Sequence, residues 1–228
     1  RPAELYFLLN PDTVARPGAV GVLARFLRSH PRAGIAGSRL EYPDGRPQPA
    51  AFRAPGLLAE LENALSLRPV SRVLRSASVL LPQPVNPIRP DWVSGAAMMV
   101  RREVFERVGL LDERYFMYFE ELDLCERAGR AGFEVWHVPE SRVVHLIGQA
   151  SGIGRERRRR PAYWFESRRR YWVKNHGVAG AAAADAVRIA GTALHRAGLK
   201  VRGRPNWMPP GFLRDLVRHS VFVRGFRT

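Results

Sequence analysis

Cysteine is almost missing from this sequence: Cys125 is the single one in 228 residues. That excludes an intramolecular disulfide framework and leaves Cys125 to be read as a small buried hydrophobe. Lysine is nearly as scarce, since all but two of the 37 basic residues are arginine. Acids are few as well, 21 in all, and the formal charge is +16. Long apolar runs are lacking: the longest tract, Val178 to Leu194, is interrupted by Asp185 and Arg188 and is too polar for a membrane span. No repeat and no secretory signal is visible, so the expected setting is reducing and cytosolic. What the chain does have is 46% hydrophobic residues, enough for one sizeable core plus extensions.

The densest chemistry lies at Glu120, Glu121 and Asp123, three carboxylates within four positions directly behind the aromatic run Tyr115-Phe116-Met117-Tyr118-Phe119. Leu124, Ala128 and Ala131 repeat at helical spacing with Gly132 as the stop, which puts the acids in the first turn of a helix. Two readings stand side by side. Acids there match the positive end of a helix and its free N–H groups. Acids at the lip of an apolar wall are also poorly solvated and repel one another, which splits their pKa values and suits a positioned base.

A further acid lies upstream, where Tyr6-Phe7-Leu8-Leu9 reads as a buried strand ended by Asn10-Pro11-Asp12-Thr13. In open α/β sheets ligands gather beyond the carboxyl ends of strands, so Asp12 is placed to hold a hard cation bridging phosphates. The alternative is an Asx-type turn in which Asp12 or Thr13 caps a helix from about Pro17 to Ser29. His145, at the end of Arg142-Val143-Val144, is either a satisfied structural histidine or a ligand.

Proline and glycine mark a hairpin turn at Tyr42-Pro43-Asp44-Gly45, a long loop from Leu81 to Pro87 and a tail near Trp207 to Gly211. Pro55 to Leu67 and Val70 to Val79 read as short helices. Basic and aromatic residues interleave from Arg155 to Trp172, a pattern that suits anionic membrane surfaces, lipid pyrophosphates or nucleic acid, or else a plain solvated helix.

Four stretches in order, Leu8 to Thr13, Asp91 to Arg102, Gly109 to Arg127 and Val143 to Ser151, resemble the C-terminal portion of a family 2 glycosyltransferase of the rhamnosyltransferase-like kind. The resemblance implies an α/β, GT-A-like (Rossmann-like) mixed sheet flanked by helices over residues 1–152, N-terminally truncated, and a basic helical extension over 153–228. It implies inverting transfer of a sugar, rhamnose among the candidates, from a nucleoside-diphosphate sugar to a glycan or lipid-linked acceptor with Mg²⁺ or Mn²⁺. Glu121 becomes the catalytic base, where many relatives carry aspartate. Asp12 and His145 become metal ligands, and Asn10, Trp92, Gly95, Glu120, Asp123 and Arg127 the substrate-binding set.

The run Gly148-Gln149-Ala150-Ser151-Gly152 then reads as a lid over the donor, or as a slack linker. The family's first β-α units, which hold the nucleoside, have no counterpart here, so the expectation is a fragment or truncated copy, inactive without that segment. An anionic membrane surface is the further expected partner, on the inner face of the membrane. Nucleic acid is not the expected partner, because the acids would repel phosphate; the alternatives to the enzyme are a basic nucleic-acid-binding protein, which would leave the acid cluster unexplained, and a non-catalytic remnant.

Overall fold

The computed structural model describes residues 3–65, 68–146 and 158–226. In chain order they form β1 (Leu5–Leu9), β2 (Thr13–Ala15), α1 (Ala19–Ser29), β3 (Ala33–Glu41), β4 (Pro47–Gln48), β5 (Ala51–Phe52), α2 (Leu57–Leu65) and α3 (Arg68–Val73). Then follow β6 (Trp92–Val93), β7 (Ala97–Arg101), α4 (Arg102–Val108), α5 (Glu120–Arg130), β8 (Glu134–His145), α6 (Ala162–Val201), α7 (Phe212–Arg218) and α8 (Val221–Arg224). No helix among the described residues is long and apolar enough to cross a membrane.

The chain divides into two compact units. One is a sheet unit of residues 3–54, 80–112 and 120–146; the other is a helical unit of residues 55–79, 113–119 and 158–226. A single boundary at 152/153 therefore misses two inner segments that belong with the C-terminal helices.

In the sheet unit six strands run in the order β1-β7-β3-β8-β2, with β4 beside β3. The sheet is mixed: β3 and β8 pair in parallel, whereas β7 is antiparallel to both β1 and β3. It follows that β1, β3 and β8 point the same way and end at one edge of the sheet. Period-two alternation sorts the side chains onto two faces. Ile35, Met98 and Val100 join Val104, Leu124, Cys125 and Ala128 under α4 and α5. Ala36 and Met99 meet Leu23 and Leu27 of α1 on the other face. Burial pushes the Cys125 thiol up to about 12, so it sits there as an inert hydrophobe.

Two expectations need correcting. The β1 segment is not a buried strand: it lies at the sheet edge with Tyr6 and Leu9 exposed. Nor do Asp12 or Thr13 cap a helix, because Thr13 to Ala15 pair with Val143 to His145 as β2, and α1 starts from Gly18. The Tyr42–Gly45 turn forms as read and closes the β3–β4 hairpin, with Gly45 N–H donating to Tyr42 O at 2.8 Å.

The helical unit is built around α6, which breaks at Gly177, whose φ of 69° suits glycine and few other residues. Its interior holds charge. Arg168 donates to Glu60 and to Asp185, Trp172 Nε1 donates to Glu60 at 3.2 Å, and Asp185 accepts the Val221 N–H at 2.7 Å. Arg188 lies 3.4 Å from Glu60. Asp185 and Arg188, which interrupt the apolar tract in the sequence, are thus the polar interior of the bundle rather than its solvated face.

Candidate active site

Asp12 follows the carboxyl end of β1, His145 is the last residue of β8, and the turn of Ser94 to Ala96 leads into β7. Because β1 and β8 point the same way and β7 runs against them, all three lie at one sheet edge, where open α/β sheets take their ligands. The Asn10 N–H donates to Ala96 O at 3.0 Å and the Leu146 N–H to Asp12 O at 2.9 Å, tying the three segments together.

His145 has its tautomer set by Gln48. The Gln48 amide nitrogen donates to Glu41 O at 3.0 Å and to His145 O at 2.7 Å. Its Oε1, 3.2 Å from His145 Nδ1, is therefore the acceptor, and Nδ1 carries the proton. Nε2 is then the ring nitrogen that faces Asp12 Oδ1, at 3.5 Å. Asp12 Oδ1 is buried and has no hydrogen-bond donor. Two electron-rich atoms so placed are satisfied either by a proton on Nε2 or by a shared cation. The donor set fits a divalent cation with both carboxylate and imidazole affinity. No cluster of three or more acidic, histidine or cysteine ligands occurs among the described residues, so a cation here would draw its remaining ligands from water or a bound substrate.

Glu120 and Glu121 open α5, as the helical spacing predicts. Burial first, and the Glu120 charge second, push the Glu121 carboxyl up to about 7, against N–H donation from its own backbone, Leu122 and Gly95. Burial raises Glu120 too. One oxygen of each carboxyl is buried without a partner. The two residues before the helix, Tyr118 and Phe119, have φ of 69° and 72° with no glycine to relieve them. Backbone of that kind costs on the order of 1–3 kcal/mol per residue and gathers at functional sites.

Gly95 acts on Glu121 directly: a Cβ there would stand 3.2 Å from the Glu121 Cβ and 3.7 Å from its carboxyl carbon. The glycine thus makes room for the base, in addition to any role toward a sugar. Trp92 stacks on Phe52 with ring centroids 4.1 Å apart and donates its Nε1–H to Arg53 O, so one face of the indole is committed within the protein. Asn10 is exposed, and its carbonyl accepts the Thr13 hydroxyl.

Asp123 and Arg127 leave the substrate set. Asp123 is fully buried and pairs with Arg127 Nε at 2.8 Å, while the Arg127 guanidinium also donates to the carbonyls of Val108, Gly109 and Leu110. The pair locks the end of α4 and the loop beyond it onto α5. The Gly148–Gly152 segment lies outside the described residues.

Sequence reasoning missed Gln48, for which the only local signal is its place just beyond the hairpin turn. It also missed Glu41, fully buried at the end of β3, where Arg142 binds it through two hydrogen bonds and Arg39 and Arg16 lie 3.1 and 3.8 Å away. Three guanidiniums against one carboxylate leave this part of the sheet edge positive.

No protein-family profile matches the chain. It is 35% identical over 148 residues to the N-acetylglucosaminyl-diphospho-decaprenol L-rhamnosyltransferase of Mycobacterium tuberculosis, which covers 63% of this chain and 47% of the relative. It is 44% identical over 55 residues to the rhamnosyltransferase WbbL of Escherichia coli K12, covering 24% of this chain and 21% of that protein. Among solved structures, GalNAc-T7 with UDP, GalNAc and Mn²⁺ overlays with a TM-score of 0.47 at 14% identity, over 98% of this chain and 41% of that one. The chain spans about half the length of the Mycobacterium relative. Over 63% of its own length, this chain is a sequence relative of the rhamnosyltransferases, in keeping with its resemblance to family 2 glycosyltransferases.

Proposed function

We propose that the chain is the acceptor-side and metal-binding part of an inverting glycosyltransferase. It moves a sugar, with rhamnose the first candidate, from a nucleoside-diphosphate sugar to a hydroxyl of a glycan or lipid-linked acceptor in cell-surface polysaccharide synthesis. The observation that carries this reading is a buried Asp12 oxygen without a hydrogen-bond donor 3.5 Å from the His145 imidazole at the sheet edge, beside the turn of Gly95, which packs on Glu121, a second carboxylate with its pKa raised to about 7.

Asp12 and His145 would hold Mn²⁺ or Mg²⁺, with the imidazole favouring Mn²⁺. When bound, such a cation neutralises charge on the diphosphate. Glu121 takes the proton from the acceptor hydroxyl as that oxygen bonds to the anomeric carbon. The bond from that carbon to the phosphate oxygen breaks, and the nucleoside diphosphate leaves with the electron pair. A single base acting opposite the leaving group inverts the configuration. Arg16, Arg39 and Arg142 supply positive potential for the leaving diphosphate.

Exposed Phe222, Val223 and Phe226 beside the basic residues Arg218 and Arg224 support membrane attachment of the helical unit to an anionic leaflet. Sedimentation with anionic vesicles tests it: binding should weaken as salt rises. The test of the reaction is transfer by the full-length protein carrying Glu121→Gln, together with Mn²⁺ and nucleotide-sugar titration of Asp12→Asn. The first should lose transfer and keep donor binding, and the second should lose metal-dependent donor binding. Wild-type behaviour in both removes these roles.

A further inference from the structure

The helical unit contains a cavity of about 130 Å³ walled by Arg114, Arg169 and Arg170, with Tyr163, Phe116 and Glu166 completing its lining. Three guanidiniums against one carboxylate make it strongly basic, and nothing in the sugar-transfer chemistry above uses it. Arg170 Nη1 is buried and has no acceptor in the protein. Its guanidinium leans on the Tyr115 ring at 5.9 Å, a contact that positions the group without supplying an acceptor to Nη1. Burial pulls the Arg169 guanidinium down against the attraction of Glu166, and the charges of Arg170 and Arg224 add to the lowering.

The wall is fixed. Ser167 is buried and its hydroxyl donates to Met117 O at 3.0 Å, holding the 113–119 segment against α6, and Arg169 donates to Gly225 O at 2.9 Å. Tyr163 and Phe116 lie 5.2 Å apart by ring centroids, and Phe116 is 73% exposed, an apolar surface at the side of a cationic hole. Fixed donors, an unmatched guanidinium and room for a phosphate or two describe an oxyanion site in which planar forks meet phosphate oxygens. In the chain, Arg114 and Phe116 come just before the acids Glu120 and Glu121.

We propose that this cavity binds a phosphate or diphosphate group carried by the acceptor, with Phe116 beside it receiving the apolar or sugar portion. The inference rests on the glycosyltransferase reading for the word acceptor, but not for the anion site itself. The site takes a tetrahedral polyanion without a divalent cation, through Arg170, Arg114 and Arg169.

Calorimetric titration of the 228-residue chain with inorganic pyrophosphate in EDTA tests it. Wild type should bind. Arg170→Gln and Arg114→Gln should each weaken binding about tenfold or more, in line with loss of a charge-assisted contact, with circular dichroism confirming that each variant is folded. Arg75→Gln, an exposed charge elsewhere in the same unit, should bind as wild type. Equal losses in all three variants, or none in Arg170→Gln and Arg114→Gln, overturn the proposal. Farnesyl diphosphate separates the sources of the anion: tighter binding than pyrophosphate assigns the site to a lipid carrier, and equal binding to the diphosphate alone. Asp12→Asn should leave all of this unchanged while abolishing metal-dependent donor binding. Failure of the cavity and failure of the transfer reading therefore appear in different titrations.

Discussion

Two clusters of buried acids, one in the helical unit and one in the sheet unit, are treated in opposite ways. In the helical unit Glu60 and Asp185 are enclosed by Arg168, Arg188, Trp172 and the N–H of Val221, so their oxygens are matched with donors. At the edge of the sheet unit, oxygens of Asp12, Glu120 and Glu121 are buried with no donor. A folded chain tolerates the first arrangement because it is neutralised, and the second works against stability unless a ligand completes it. The contrast separates charges that hold the fold from charges that await chemistry.

The largest effect expected is on transfer. Glu121→Gln removes the base and should lower the rate by roughly 10²–10⁴-fold in the full-length protein. Breaking the matched network should instead show up in folding. Asp185→Ala removes one of the two carboxylates that hold Arg168 and the acceptor of the Val221 N–H, and should cost about 3–5 kcal/mol in denaturant unfolding. If Asp185→Ala were harmless and Glu121→Gln unfolded the protein, the contrast between the two clusters would be reversed.

Smaller changes sharpen the comparison. Gln48→Leu frees the His145 ring from its fixed tautomer and should weaken Mn²⁺ binding by about 10–100-fold with little change in fold, as read by titration calorimetry. Gly95→Ala presses a methyl group against the Glu121 side chain at 3.2 Å, shifting the base by a few tenths of an ångström. Turnover should fall about tenfold while the donor dissociation constant stays put. The pH profile follows from the sign of the Glu121 shift: the base works deprotonated, so turnover should rise with pH through about 7 and then level off.

Much of this is legible in the sequence. Helical spacing puts Glu120 and Glu121 in the first turn of α5, and the ordered motifs mark both Asp12 and His145, which the fold brings face to face. What the sequence leaves out depends on contacts between distant strands. Gln48 meets His145 across 97 positions and Arg142 meets Glu41 across 101, and no local pattern encodes either pair. Asp123 and Arg127 mislead because an acid in a catalytic-looking cluster and an arginine one turn later also make a helical ion pair, which three nearby carbonyls then complete. Asp185 and Arg188 break the apolar tract in the sequence, and their pairing with Arg168 and Glu60 inside the bundle is set by contacts outside that tract.

The unfolding free energy of wild type and Glu121→Gln, compared from about pH 4 to about pH 9, tests the central contrast without requiring activity. The folded carboxyl holds its proton up to about 7, whereas the unfolded one releases it near the ordinary glutamate value of 4.5, so the folded state binds the extra proton between those limits. Whatever stability Glu121 provides is thus present below 4.5 and lost as pH rises through about 7. The account predicts that the two proteins match at the acid end and that wild type falls behind progressively to about pH 7, by on the order of 1 kcal/mol or more, with a constant gap above. A gap that does not change with pH, or a wild type that gains on the variant as pH rises, would contradict it.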